Sequence, residues 1–279
     1  MTPEEFAYLA AFLKKESGLV VSENKGYLIE SRLLPIAREL GLDSVAALVG
    51  KMRAGAPKSL LDDVTEAMTT NESFFFRDST PFTTFEDTIL PEILKSRSSQ
   101  KRLRIWCAAA STGQEPYSLA MILKEWAPKM SGWTFDIVGT DLSADVLRRA
   151  KLGKYTQFEV QRGLPIQLLV KYFKQEGNDW EIAPEIRSMV QYKKLNLLDD
   201  FSSLGKFDVI FCRNVLIYFD QETKGQILDR MARLLPSDGY LFLGAAETVI
   251  GITDTFKPMV GKRGLYVPAA APAKGAAVA

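Results

Sequence analysis

Apolar positions recur with helical spacing through the first seventy residues. Phe6, Leu9, Ala10 and Leu13 fall at i, i+3, i+4 and i+7, one face of a helix. Thr2, Pro3 and Glu5 make a capping-box start for it, and Gly18 supplies the stop. A second helical stretch runs from about Glu23 to Leu40 and ends at Gly41, with Pro35 expected to kink or divide it. Shorter helices follow near Ser44 to Arg53 and Pro57 to Thr70. The pattern predicts a small all-α domain over residues 1–70.

Beyond about Arg77 the period changes. Short β-rich runs alternate with helical ones: Leu103–Ala109 then Pro116–Trp126, Thr134–Gly139 then Ser143–Lys151, Phe207–Cys212 then Gln221–Leu235, and finally Tyr240–Gly244. Such alternation implies βαβ crossovers, an α/β fold of the doubly wound type with helices on both faces of a mostly parallel sheet. The rhythm breaks between Tyr155 and Lys194. There a helical piece at Ile166–Lys171 precedes a hairpin from Tyr172 to Ile182, turned at Gly177-Asn178-Asp179, and another strand at Met189–Lys193. Residues 155–194 are expected to form a small antiparallel insertion. Residues 71–100 are a linker and lead-in helix, 101–268 the sheet domain, and the Ala-rich 269–279 a disordered tail.

Composition narrows the function. A chain of 279 residues suits two domains at roughly 100–200 residues each. With 47% hydrophobic and 25% charged residues it is neither a disordered chain nor a disulfide scaffold. Lys+Arg at 35 against Asp+Glu at 34 removes the broad positive field of a nucleic-acid or anionic-membrane binder. No apolar run reaches the ~18 residues of a membrane span, and the N-terminus lacks the layout of a signal peptide, so a cytoplasmic protein is expected. Nothing in the chain demands a dimer, and a monomer is expected. Cys107 and Cys212 sit in apolar runs and read as buried thiols. The chain has no histidine, which excludes a zinc constellation of the usual kind, Ser-His-Asp and Cys-His catalysis. No metal site is expected.

In an open α/β sheet the ligand lies beyond the C-terminal ends of the strands. Three stretches carry chemistry there. After the first strand comes a turn of small residues, Ala108 to Gly113, then Glu115 and Pro116. The dinucleotide glycine fingerprint is absent, and Glu115 would repel a diphosphate but attract an ammonium group. This argues against NAD and for a cationic cofactor; dipole complementation at a helix start is the plainer reading of the same acid. Asp141, ending the next strand, suits two ribose hydroxyls, although Asp is also a helix cap. The apolar run from Phe207 delivers Arg213, Asn214 and Tyr218 to the same rim, with a surface ion pair as the bland reading of the arginine. An ammonium, a ribose and a purine without phosphate point to S-adenosyl-L-methionine. Methyl transfer to a carboxylate of pKa ~4.3 needs no base near neutral pH.

Five ordered runs resemble the bacterial chemotaxis receptor methyltransferases, the CheR family: Thr70-Asn-Glu-Ser-Phe-Phe-Phe-Arg77, Cys107-Ala-Ala-Ala-Ser-Thr-Gly-Gln-Glu-Pro-Tyr-Ser118, Gly139-Thr-Asp-Leu-Ser143, Asn196-Leu-Leu198 and Cys212-Arg-Asn-Val-Leu-Ile-Tyr-Phe219. The resemblance extends to about Pro268 and includes the N-terminal helices. It implies a Rossmann-like class I methyltransferase that esterifies glutamates on chemoreceptor cytoplasmic helices and yields S-adenosyl-L-homocysteine. It further implies cofactor contacts at Asn71, Ser73, Arg77, Glu115, Asp141, Asn196, Leu197, Arg213 and Asn214, with Tyr218 and Arg77 beside the transferred methyl. Ser73 stands where some members carry Thr. The insertion is similar to the family's β-subdomain, which in some members grips a receptor C-terminal pentapeptide; the short hairpin Lys174 to Trp180 implies independence from that peptide. The family's N-terminal helices help to engage the receptor. Residues 1–70 hold 8 Lys and Arg against 10 Asp and Glu, so such docking would rest on single residues, Lys25 and Arg32. The rival readings are a small-molecule methyltransferase, a sensor of the cofactor without turnover, and an NAD-dependent oxidoreductase.

Overall fold

A computed structural model describes residues 1–269. Of the Ala-rich segment 269–279 expected to be a disordered tail, all but Ala269 lies outside the described residues. Pro268 ends a strand, and the Ala269 N–H donates to the Thr255 carbonyl.

The chain divides into two compact units, residues 1–70 with 218–223, and residues 71–217 with 224–279. The first is all-α. Helix α1 (Pro3–Ser17) starts at a Thr2 cap whose hydroxyl accepts the Glu5 N–H, while the Glu5 carboxylate accepts the Thr2 N–H at 2.6 Å. It stops at Gly18, whose φ of 76° suits glycine and whose N–H reaches the Lys14 carbonyl. After a single 3-10 turn come α2 (Gly26–Glu39), α3 (Val45–Arg53), capped by Ser44, and α4 (Lys58–Met68). Leu9, Leu13, Ile29, Leu33, Leu48 and Val64 interlock with no exposed surface.

Pro35 does not divide α2, which continues through it to Glu39. Pro35 is on the exposed face, where water can satisfy the carbonyl that proline leaves without a donor. Arg32 is also a correction. Rather than standing free to dock a partner, its guanidinium donates to the carbonyls of Met68 at 2.7 Å and Thr69 at 2.9 Å and to the Thr70 hydroxyl at 3.0 Å. It closes the C-terminal end of α4. The 218–223 segment is tied to this unit by the Val20 N–H donating to the Tyr218 carbonyl at 2.9 Å and by the Lys14–Asp220 ion pair at 2.7 Å.

The second unit opens with α5 (Thr80–Thr84), a π-helical stretch at Phe85–Ile89, and α6 (Leu90–Ser96). The sheet then builds from β1 (Arg102–Cys107), α7 (Gln114–Trp126), β2 (Thr134–Asp141) and α8 (Ala144–Leu152). Next come β3 (Lys154–Thr156), α9 (Gln157–Gln161), α10 (Ile166–Tyr172), β4 (Phe173–Glu176), β5 (Asp179–Ile182), α11 (Pro184–Arg187) and β6 (Val190–Lys194). The chain closes with β7 (Val209–Cys212), α12 (Gln221–Leu234), β8 (Tyr240–Leu243), β9 (Phe256–Pro258) and β10 (Leu265–Pro268). The seven-stranded sheet has the order β6-β2-β1-β7-β8-β10-β9, parallel except for β10 and β9.

A second sheet, β3-β5-β4, is antiparallel, and the hairpin turns at Gly177-Asn178. The strand expected at 189–193 is not part of it. β6 lies parallel to β2 in the main sheet, with Val190 opposite Ile137 and Lys194 opposite Asp141. Its alternate residues Val190 and Tyr192 are buried, so its apolar face serves the large core. Cys107 and Cys212 are fully buried free thiols, and burial pushes both well above the ordinary thiol range.

Arg32→Ala leaves three acceptors at the end of α4 without their donor. It should destabilise the protein by about 1–3 kcal/mol, read as a fall in the urea midpoint with the slope unchanged.

Candidate active site

The five parallel strands end on one rim, and the chain reverses its direction of growth across the sheet between β1 and β7, the usual place for a ligand crevice. Glu115 in the first turn of α7 and Arg213 just beyond β7 meet there, Nη1 to Oε2 at 2.7 Å. The Arg213 side chain is 1% exposed and that of Glu115 10%. Arg213 also donates through Nη2 to the Arg77 carbonyl and the Asp78 carboxylate, both at 2.8 Å. Its Nε has no partner. Burial pushes Glu115 above the usual carboxylate range, and the Arg213 charge opposes that shift.

The lead-in segment docks onto the same rim. Ser111, with φ of 48°, donates its hydroxyl to the Asn71 carbonyl at 2.7 Å and its N–H to Asp141 Oδ2 at 2.9 Å. Asp141 Oδ1 accepts the Ser143 N–H at 3.0 Å, and Ser143 caps α8. The Phe76 N–H donates to the Ser118 hydroxyl at 3.0 Å. Ser73 and Arg77 are half-buried, and Arg77 donates to the Glu72 carbonyl at 2.8 Å. Beyond β6, Asn196 Oδ1 accepts the Leu198 N–H at 3.0 Å, while Arg230 holds the Leu197 carbonyl at 2.8 Å.

At the strand ends Ser111 thus joins Asn71 to Asp141, Arg213 pairs with Glu115, and the Asn214 N–H is held by Glu247, while Asn196 and Leu197 follow the adjacent edge strand. Tyr218 closes a 3-10 turn, Leu216–Tyr218, in which the division between the two units falls after Ile217. Three participants escaped the sequence reading. Asp78 shares Arg213. Ser111 links the lead-in to Asp141. Glu247, 9% exposed after β8, accepts backbone N–H groups of the loop that follows Arg213. Asp78 and Ser111 leave a trace in the sequence, the first next to the arginine that closes the first motif and the second inside the small-residue turn; Glu247 leaves none. Among the described residues no cluster of His, Cys, Asp and Glu is arranged for a metal.

A parallel sheet with an acid after its second strand, a small-residue turn after its first and no phosphate cradle is a nucleoside-cofactor methyltransferase architecture. The description "CheR methyltransferase, SAM binding domain" matches residues 71–265, and "CheR methyltransferase, all-alpha domain" matches residues 4–69. The chain belongs to the CheR methyltransferase family, and its cofactor is S-adenosylmethionine. Among curated relatives, chemotaxis protein methyltransferase Cher2 of Pseudomonas putida is 42% identical over 91% of this chain and 93% of its own. Chemotaxis protein methyltransferase 1 of Pseudomonas aeruginosa is 44% identical over 91% of this chain and 93% of its own. Among solved structures, PKMT2 of Rickettsia typhi in complex with AdoHcy is 22% identical over 51% of this chain and 20% of its own, with a TM-score of 0.32.

Replacing Arg213 by Met strands the buried Glu115 carboxylate and should cost about 3–5 kcal/mol in denaturant unfolding, since one partner of a buried pair is left uncompensated. The double variant Arg213→Met with Glu115→Leu should recover part of that loss.

Proposed function

We propose that the protein transfers the methyl group of S-adenosylmethionine to glutamate side chains on chemoreceptor cytoplasmic helices, as a chemotaxis adaptation enzyme. The single observation behind this reading is the family membership of both units over nearly the whole chain, with the motif residues gathered at the strand ends. The relatives in the two Pseudomonas species carry the name of chemotaxis methyltransferases.

The residues suit the cofactor in chemistry. Glu115 and Asp141 offer carboxylate oxygens to an ammonium and to ribose hydroxyls, and the Arg213 Nε–H is a buried donor without a partner in the protein, fit for an acceptor such as a carboxylate. Asn71, Ser73, Asn196, Leu197 and Asn214 are assigned to the remainder of the cofactor. When bound, the cofactor supplies an electrophilic methyl on sulfur. The chain's own work is orientation: Arg77 is assigned to hold an already ionised acceptor carboxylate by charge-assisted hydrogen bonds, which contribute about 1.5–3 kcal/mol each, and Tyr218 is assigned a positioning role in turnover. Alignment of the reacting groups lowers the barrier by roughly 7–11 kcal/mol. No proton has to be removed, which agrees with a sequence lacking histidine.

We assign the enzyme to the cytoplasm, acting as a monomer without need of a receptor pentapeptide. Among the described residues no helix is long and apolar enough to cross a membrane.

Labelled methyl transfer from S-adenosylmethionine to purified receptor cytoplasmic fragments is expected to give alkali-labile label; absence of label with cofactor binding intact would overturn the glutamate assignment. Asp141→Ala should weaken cofactor binding by about 10- to 100-fold, roughly the worth of one charge-assisted bond. Tyr218→Phe should lower kcat by roughly tenfold and leave cofactor affinity unchanged.

A further inference from the structure

Arg213 and Asn214 are useful to a cofactor only if the backbone that carries them is held still. Residues 213–215 follow the end of β7 and belong to no regular element, so neither sheet nor helix bonding fixes them. Asn214 moreover has φ of 58°, in the left-handed region that a non-glycine residue adopts at a cost. Glu247 supplies what the secondary structure does not. Its Oε2 accepts the N–H of Asn214 at 2.8 Å and of Gly244 at 2.7 Å, and its Oε1 accepts the N–H of Val215 at 2.9 Å and of Ile217 at 3.3 Å. One carboxylate therefore gathers four backbone donors, three of them from the loop between Arg213 and Tyr218.

The arrangement depends on a glycine. A Cβ at position 244 would lie 2.7 Å from Glu247 Oε2 and 2.9 Å from both the backbone nitrogen and Nδ2 of Asn214. Gly244 directly follows β8, so the chain presents a bare backbone where the carboxylate and Asn214 must close on each other. An ionised carboxylate accepts at both oxygens and donates at neither. Its glutamine isostere turns an NH2 group toward two of the same donors, and aspartate is one methylene shorter.

The geometry points to Glu247 as a positioning residue of the methyl-transfer site. Seated through Gly244, its carboxylate fixes the Arg213–Ile217 backbone, and with it the Arg213 guanidinium and the Asn214 amide. The assignment rests on the reading of Arg213 and Asn214 as cofactor contacts. Glu247 touches neither cofactor nor acceptor in this role; it acts through the loop.

The test is calorimetric titration of the full chain with S-adenosylhomocysteine for the parent, Glu247→Gln, Gly244→Ala and the double variant. It is coupled to receptor-fragment methylation with kcat and KM resolved, on protein shown to be folded by its thermal transition. Each single variant should bind about 10- to 100-fold more weakly and turn over more slowly, as expected for contacts displaced by a fraction of an ångström to an ångström, with KM for the receptor fragment unchanged. The double variant should be no worse than the worse single, because both changes break one set of contacts. Affinity and kcat within twofold of the parent in folded Glu247→Gln would overturn the assignment, as would additive losses in the double variant. If Glu247→Gln fails to fold, Gly244→Ala alone carries the comparison; if neither folds, the carboxylate is a folding element and the assignment falls. A parent that binds no S-adenosylhomocysteine would overturn the cofactor reading itself, before any variant is compared.

Discussion

The Arg213 side chain is 1% exposed, and a guanidinium taken from water costs several kcal/mol unless its surroundings supply acceptors. Here they come from distant parts of the chain: Glu115, 98 residues away, and the Arg77–Asp78 pair, 135 to 136 residues away. The ring of Phe82 adds its face, with the guanidinium carbon 5.6 Å from the centroid. The lead-in segment is shaped by this demand. Phe76, Asp78 and Ser79 have φ of 51°, 66° and 40°, three non-glycine residues in a disfavoured region within four positions. Such strain persists only where neighbours over-determine it, and Arg213 on one side with Ser118 on the other do so. Charge burial at the end of β7 thus sets the course of residues 71–79.

The small-residue turn after β1 answers to packing as much as to any ligand. A Cβ on Gly113, at φ of 96°, would lie 2.7 Å from the Tyr192 hydroxyl, and one on Gly139 would lie 2.8 Å from the Tyr192 ring. Tyr192 comes from β6, the edge strand, and its ring also meets Tyr117 edge-on at 5.8 Å. Tyr117 in turn donates its hydroxyl to the Ala150 carbonyl at 2.7 Å, which ties α7 to α8. The aromatic floor therefore forces the backbone above it to be bare, and the same bareness is what a nucleoside cofactor requires.

What could be read from the sequence was local. The Thr2 and Ser44 caps, the Gly18 stop, the strand and helix alternation and the hairpin at Gly177 all follow from residues a few positions apart. In the sequence Arg32 looks like a surface cation, because its acceptors are backbone carbonyls 36 and 37 residues away, which carry no side-chain signature. The alternating pattern of β6 is compatible with either sheet, and only pairing with β2 decides between them. The 218–223 segment joins the helical unit through one backbone bond and one ion pair, neither marked by composition. Glu247 is as illegible as Arg32 for the same reason: its partners are backbone amides, which every residue but proline possesses.

The motif residues of this site carry structural bonds before any cofactor is considered. Asp141 already receives the N–H groups of Ser111 and Ser143, and Glu115 is already paired with Arg213. Loss of binding in a variant at either position therefore combines a lost contact with a moved neighbour, and only a residue remote from the ligand separates the two. Such double use suits a reaction that asks for alignment and not for proton removal. A base can tolerate some motion if its pKa is right, but in-line transfer depends on where atoms stand. With no histidine to tune, the chain spends its polar groups on holding backbone: Asp141, Glu115, Arg213 and Glu247 each bind main chain or one another.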